Sequence, residues 1–214
     1  MRALANVFLA GLLGCSARYQ PLECPKEGAG EGYQLERTDG RYDVEGKTYS
    51  AYSQARKKAA FFGLFITPDR PAVALTDSRM CLRYRLTWDD TQCSLGSARL
   101  FHRVRVTTPR WIVPAGASAK DLELLRADDA LLATHEEGHA RIAEAAARHV
   151  FAVLQKIAPA PTCAEVEGKA KALVAEVTKE VEARQKAYDA TTDHGRKQST
   201  ADVDALPAAW LGWE

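Results

Sequence analysis

Leu132-Ala-Thr-His135-Glu136-Glu137-Gly138-His139-Ala-Arg141-Ile142 is the stretch on which the reading of this chain turns. It continues a helical pattern. From Leu132 an apolar stripe runs through Ile142, Ala146, Val150, Val153 and Ile157, at spacings of three and four with one longer gap. His135 and His139 fill that gap, so both imidazoles share the inward face. Glu137, Arg141, Glu144 and Arg148 lie on the other face. Their acid-first pairs four apart suit a wet surface. Two imidazoles turned inward without partners would be costly. One metal ion gripped by both removes that cost, and Glu136 stands beside them as a base for a metal-bound water. The alternative is two histidines satisfied by carbonyls or water.

Working outward, Ser118 with Asp121 three residues later marks a helix start, and Pro159 and Pro161 stop that helix near Ile157. Thr162-Cys-Ala-Glu165 is a capping box for a second helix. Its stripe is Cys163, Val166, Ala170, Leu173, Val177, Val181 and Tyr188. The short link predicts an antiparallel helical hairpin. Residues 33–115 instead carry strand signals at Tyr42–Tyr49, Met80–Trp88 and Leu100–Thr107, with a short helix at Ser53–Phe62. The expected fold is therefore α+β: a small antiparallel β-sheet packed against a long helical hairpin that carries a zincin-like motif. The expected domain spans 33–199, with its helical half and metal site in 116–199, and 200–214 form a tail. In that tail Trp210 and Trp213 are expected to dock on the domain.

Residues 1–15 read as a lipoprotein signal. Arg2 precedes the apolar stretch Ala3–Leu13, and Leu12-Leu13-Gly14-Cys15 reads as a lipobox whose cysteine is lipidated. The apolar run is too short to span a membrane as a helix. Residues 16–32 then form a tether. Ser16 after the cysteine favours the outer membrane, by analogy with Gram-negative lipoproteins, with the domain facing the periplasm. A cleaved secretory signal is the alternative, and either one exports the chain. Four cysteines remain, Cys24, Cys81, Cys93 and Cys163, and in an exported domain they suggest two disulfides. A hairpin turn at Asp89-Asp90-Thr91 would set Cys93 opposite about residue 87, not Cys81. The pairing favoured is therefore Cys93–Cys163 with Cys24–Cys81. The absence of any C-x-x-C pair argues against a four-cysteine zinc site. With 29 basic and 28 acidic residues the net charge is +1, which gives no support for a nucleic-acid partner.

A catalytic zinc takes three protein ligands and keeps one position open. If the helices form a hairpin, Glu180 lies level with His139 and would give a His-His-Glu site. His194, just beyond the second helix in Tyr188-Asp189-Ala-Thr191-Thr192-Asp193-His194-Gly195, is slightly preferred, because Gly195 eases a return of the chain. His149 shares the face but lies about 15 Å along a straight helix, out of reach. His102 on a strand stays open. Tyr188 is a candidate oxyanion donor, or simply the last core residue of its stripe. Asp189 or Asp193 is placed to orient a ligand imidazole.

The order of these features resembles a bacterial family, domain of unknown function 922, described as predicted secreted zinc-dependent proteases. The resemblance covers roughly residues 33–199. It rests on Tyr42 to Gly46, on Pro109-Arg-Trp111, on His135-Glu-Glu-Gly-His139, and on Tyr188-Asp through His194-Gly195. Thr192 meets the family's one-residue gap between threonine and histidine, Thr191 is extra, and Ser199 stands where Gly is frequent. The resemblance implies a metallopeptidase-type fold with the tail histidine near the metal. The expected activity is that of an envelope-anchored hydrolase: Zn²⁺ on His135, His139 and His194, Glu136 as base, and a peptide or cell-wall substrate. The rivals are a cell-wall amidase and a non-catalytic lipoprotein with a structural metal or a binding role.

Overall fold

The structure, a computed structural model, describes residues 4–9, 32–59, 66–67, 70–71, 73–197 and 212–213. Cys15, Cys24, most of the tether and Trp210 lie outside the described residues. The strands are β1 (Leu4–Leu9), β2 (Gly32–Glu45), β3 (Ile66–Thr67), β4 (Arg70–Pro71), β5 (Leu75–Trp88) and β6 (Cys93–Ile112). The helices are α1 (Tyr49–Ala59), α2 (Ala119–Leu154) and α3 (Cys163–Thr192). No helix among the described residues is long and apolar enough to cross a membrane.

The fold is α+β, but the sheet is mixed, which corrects the expected antiparallel one. Its order is β1-β5-β6-β2. β5 and β6 form an antiparallel hairpin, and β1 lies antiparallel on the other side of β5. β2 runs parallel to β6, from Gly32↔Arg99 to Glu45↔Ile112. Alternation of apolar and polar residues tells which face a strand buries, not which neighbour it takes or in which sense. The parallel pairing sets Tyr42 beside Pro109, Asp43 beside Arg110 and Val44 beside Trp111. Arg110 grips Asp43 at 2.7 and 2.8 Å, and Trp111 donates from Nε1 to the Gly46 carbonyl at 2.8 Å. α1 seals this end, with Tyr52 stacked on Trp111 at 5.6 Å. It begins four residues earlier than expected, because Thr48 Oγ1 accepts from Ala51 N at 3.2 Å and Asp121 Oδ1 accepts from Tyr49 N at 3.0 Å.

Every second residue of β5, from Thr76 through Ser78, Met80, Leu82 and Tyr84 to Leu86, is buried on one face of the sheet. There Met80, Leu82, Tyr84, Leu86 and Leu100 meet Ala146, Ala147, Val150 and Leu154 of α2 and Val166, Ala170, Val174, Val177 and Val181 of α3. Both expected caps are present. Ser118 Oγ accepts from Asp121 N at 3.0 Å, and Thr162 Oγ1 accepts from Glu165 N at 3.2 Å. In the link between the helices, Ala160 exchanges two backbone hydrogen bonds with Cys93, at 2.7 and 2.9 Å.

Cys93 and Cys163 are joined by a disulfide across 70 positions of sequence. It ties the hairpin of the sheet to the start of α3. Cys81 is disulfide-bonded as well. Closing a loop of 70 residues removes chain entropy from the unfolded state, worth about 2–4 kcal/mol. A Cys93→Ala/Cys163→Ala double variant should lose that much in denaturant unfolding. An unchanged midpoint would show that the link contributes nothing beyond packing.

Candidate metal centre

His135 and His139 are one turn apart on α2. Facing them on α3 are Gln185, Asp189 and Thr192, spaced four and three apart and so on one face. His135 Nε2 lies 3.1 Å from Asp189 Oδ1, His139 Nε2 lies 3.0 Å from the same oxygen, and the two Nε2 atoms are 3.1 Å apart. His135, Asp189 and His139 thus offer three ligand atoms that lie within 4.8 Å of one another.

The outer hydrogen bonds decide what these atoms are. Gln185, 1% exposed, donates from Nε2 to the His139 carbonyl at 2.9 Å. Its Oε1 is therefore turned to His139 Nδ1, which it contacts. An amide oxygen only accepts, so Nδ1 carries a hydrogen, which in the neutral imidazole leaves Nε2 a lone pair. Thr192 spends its one hydroxyl hydrogen on the Tyr188 carbonyl at 2.8 Å. It can only accept from His135 Nδ1 at 3.3 Å, which leaves Nε2 of His135 a lone pair too. Two nitrogen lone pairs and a carboxylate oxygen then face one another at about 3 Å. Three acceptors at that range repel unless a cation sits among them. Four-coordinate zinc with bonds of about 2.0–2.1 Å separates its nitrogens by about 3.3 Å, so the arrangement fits one.

The electrostatics point the same way. In the metal-free centre protons on the ring nitrogens stand in for the cation. Burial raises the Asp189 carboxyl, but the hydrogen bonds that His135 and His139 then donate to it outweigh this and hold it well below the usual carboxylate range. Burial opposes charging of His139, yet the bond to Asp189 and the nearby Glu136 carboxylate raise it. The centre attracts positive charge despite being buried.

Glu136 lies on the sheet side of α2 and is 5% exposed. Thr76 Oγ1 of β5 donates to its Oε2 at 2.6 Å, with the Glu136 carbonyl as a second acceptor at 3.1 Å. Tyr188 is 2% exposed. Its ring stacks on His135 at 5.2 Å and meets His139 edge-on at 5.0 Å. This packing needs Gly138, since a Cβ there would lie 2.0 Å from Tyr188 Oη. The phenol oxygen is thus turned towards the helix backbone, and the ring braces both imidazoles.

His194 sits at the rim. Its Nδ1 is 3.5 Å from Asp189 Oδ1, and its side chain is half exposed. Asp193, His194 and Gly195 all have positive φ, at 51°, 53° and 86°. This left-handed run turns the chain back against α2, where a Cβ on Gly195 would be 3.0 Å from His135 Cβ. Thr192, not Thr191, is the threonine that bonds a histidine.

The remaining candidates lie elsewhere. Glu180 pairs with Arg184 on the exposed face of α3. Gln185, not Glu180, meets His139. The end of α2 at Leu154, earlier than expected, would by itself move the level partner the other way, so the offset comes from how the two helices dock. His149 stacks on Trp213 at 5.2 Å, and Trp213 docks on the domain beneath Arg184. Gln185 and Thr76 escaped the sequence reading. A polar residue on the apolar stripe between Val181 and Tyr188 was the available signal for Gln185. Thr76 had none.

His102 is fully buried, with Tyr33 Oη at 3.0 Å from Nδ1 and Ser78 Oγ at 2.8 Å from Nε2. Burial, helped by Arg148, lowers its pKa from 6.5 to about 4. The unfolded chain binds this proton more readily than the folded one. Stability from His102 is therefore complete above about pH 6.5 and falls as pH drops towards 4, by about 3 kcal/mol. His102→Gln, which cannot titrate, should flatten that limb of the stability profile. Parallel wild-type and variant profiles would refute this.

No curated protein and no solved structure matches the chain. Residues 40–195 match the family model "Bacterial protein of unknown function (DUF922)". That span holds all four motif segments, from Tyr42 to Gly195, and on it the chain belongs to this family.

Proposed function

We propose that this protein is a zinc-dependent hydrolase, a metallopeptidase in type, with zinc held by His135, His139 and Asp189 between two antiparallel helices in a zincin-like arrangement. One observation carries the reading: three acceptor atoms meet at about 3 Å, and Gln185 and Thr192 hold both imidazoles with a lone pair inward. Asp189 replaces His194 as the third ligand of choice because its oxygen touches both ring nitrogens, whereas His194 reaches only Asp189. Bound zinc would supply Lewis acidity at the open side of the centre. Glu136, beside His135, is the proton acceptor. Tyr188 supports the rings.

The substrate class proposed is a peptide bond, in a protein or in cell-wall peptide. The leader reading of residues 1–15 supports an envelope lipoprotein at the outer membrane, facing the periplasm; processing at Cys15 would remove β1 from the sheet edge and leave β5, β6 and β2. A cell-wall amidase would use the same centre. A purely structural zinc that clamps α2 to α3 is the rival that an inactive, zinc-loaded protein would support.

The first test is zinc itself. Wild type should bind one equivalent. His135→Ala and His139→Ala should each lower the affinity at least a hundredfold in a competitive chelator titration. Stoichiometric, tight zinc in both variants would end the proposal.

A further inference from the structure

Glu136 is held by one bond from a strand that carries no part of the sequence motif. Thr76 is 4% exposed on β5, and its side chain points at α2 from the buried face of the sheet. A threonine hydroxyl has a single hydrogen to give. Two acceptors are within range, Glu136 Oε2 at 2.6 Å and the Glu136 carbonyl at 3.1 Å. The carboxylate is the nearer and the charged acceptor, so it takes the hydrogen. This fixes one carboxylate oxygen against the sheet and turns the other, Oε1, away from Thr76. A buried glutamate without that bond has several rotamers, and only some present an oxygen to the histidine side of the helix.

We infer that Thr76 is the positioning residue for Glu136: its hydroxyl anchors Oε2 and thereby aims Oε1 as the proton acceptor of the reaction. The inference rests on the hydrolase reading above and deepens it. Thr76 touches neither the metal ligands nor a substrate in this role, and it acts through Glu136 alone. A neighbouring strand supplies the restraint because α2 cannot. Residues on its own helix lie above and below Glu136, whereas β5 lies across from it.

The test compares Thr76→Val, which keeps the shape and removes the hydroxyl, with Thr76→Ser, which keeps the hydroxyl and removes the methyl. Both are measured beside wild type and Glu136→Gln on a substrate that wild type cleaves. Thr76→Val should lower kcat about 10- to 100-fold, a part of what a general base contributes. KM and zinc affinity should stay within about twofold. Thr76→Ser should restore kcat to within a few-fold of wild type. A residue that served packing alone would give the opposite order, with Ser worse than Val. A larger loss of zinc than of kcat in Thr76→Val would also overturn the inference. If Thr76→Val is fully active while Glu136→Gln is inactive, the positioning role fails and the hydrolase reading survives. If Glu136→Gln equals wild type, or zinc-loaded wild type is inert on a broad peptide and cell-wall panel, the hydrolase reading fails and the inference falls with it.

Discussion

Glu136→Gln should keep its fold and its zinc and lose a hundredfold or more in kcat. Gln preserves the side-chain length, and its amide oxygen still accepts from Thr76 Oγ1, whose partner in the native chain is Glu136 Oε2 at 2.6 Å. What it loses is the ability to take a proton. General-base catalysis contributes about 10²–10⁴-fold, which sets the size of the drop. KM should change little, because the lost interaction belongs to the transition state. Zinc content is the control, since Glu136 is not among the three converging ligand atoms. A variant as active as wild type would remove Glu136 from the chemistry even with the metal in place. Loss of zinc in this variant would mean that the carboxylate serves the centre itself.

Asp189→Ala should abolish tight zinc binding, by a hundredfold or more, while His194→Ala should weaken it about tenfold. Asp189 Oδ1 contacts His135 Nε2 at 3.1 Å and His139 Nε2 at 3.0 Å, so its removal takes away both a ligand and the only negative charge among the three donors. His194 reaches only that oxygen, at 3.5 Å and from a half-exposed position. Its loss should therefore act as the loss of an outer partner, for which 10- to 100-fold is usual. The reverse ranking, with His194→Ala the more damaging, would make His194 the ligand and Asp189 its support. Equal, complete losses would indicate four protein ligands, the pattern of a closed structural site.

Much of this was open to reading along the chain, for local reasons. Two histidines four apart must share a helix face, and the stripe through Ile142, Ala146 and Val150 shows that this face is inward. Ser118 and Thr162 begin helices because their hydroxyls accept from backbone groups three residues on. The third donor was not legible in the same way. Level counting set Glu180 opposite His139, and the observed Gln185 differs by five residues. The end of α2 at Leu154 moves the level partner towards the link, away from Gln185, so the difference comes from how the two helices dock and not from where they stop. Asp189 was noticed for an outer role, because one letter does not say whether a carboxylate touches a metal or a ligand of that metal.

Sequence by itself determined the α+β class, both long helices with their caps, the inward pairing of His135 with His139, and the family to which residues 40–195 belong. These follow from periodicity and from contacts within a few residues, which the order of amino acids contains directly. Tertiary structure alone decided the parallel run of β2 on β6, the meeting of Asp189 with both imidazoles, the lone pairs set by Gln185 and Thr192, and the grip of Thr76 on Glu136. Each of these joins residues some 45 to 70 positions apart. Their meeting depends on how helices and strands dock, which is set by the packing of whole faces in one core and not by any local stretch of chain.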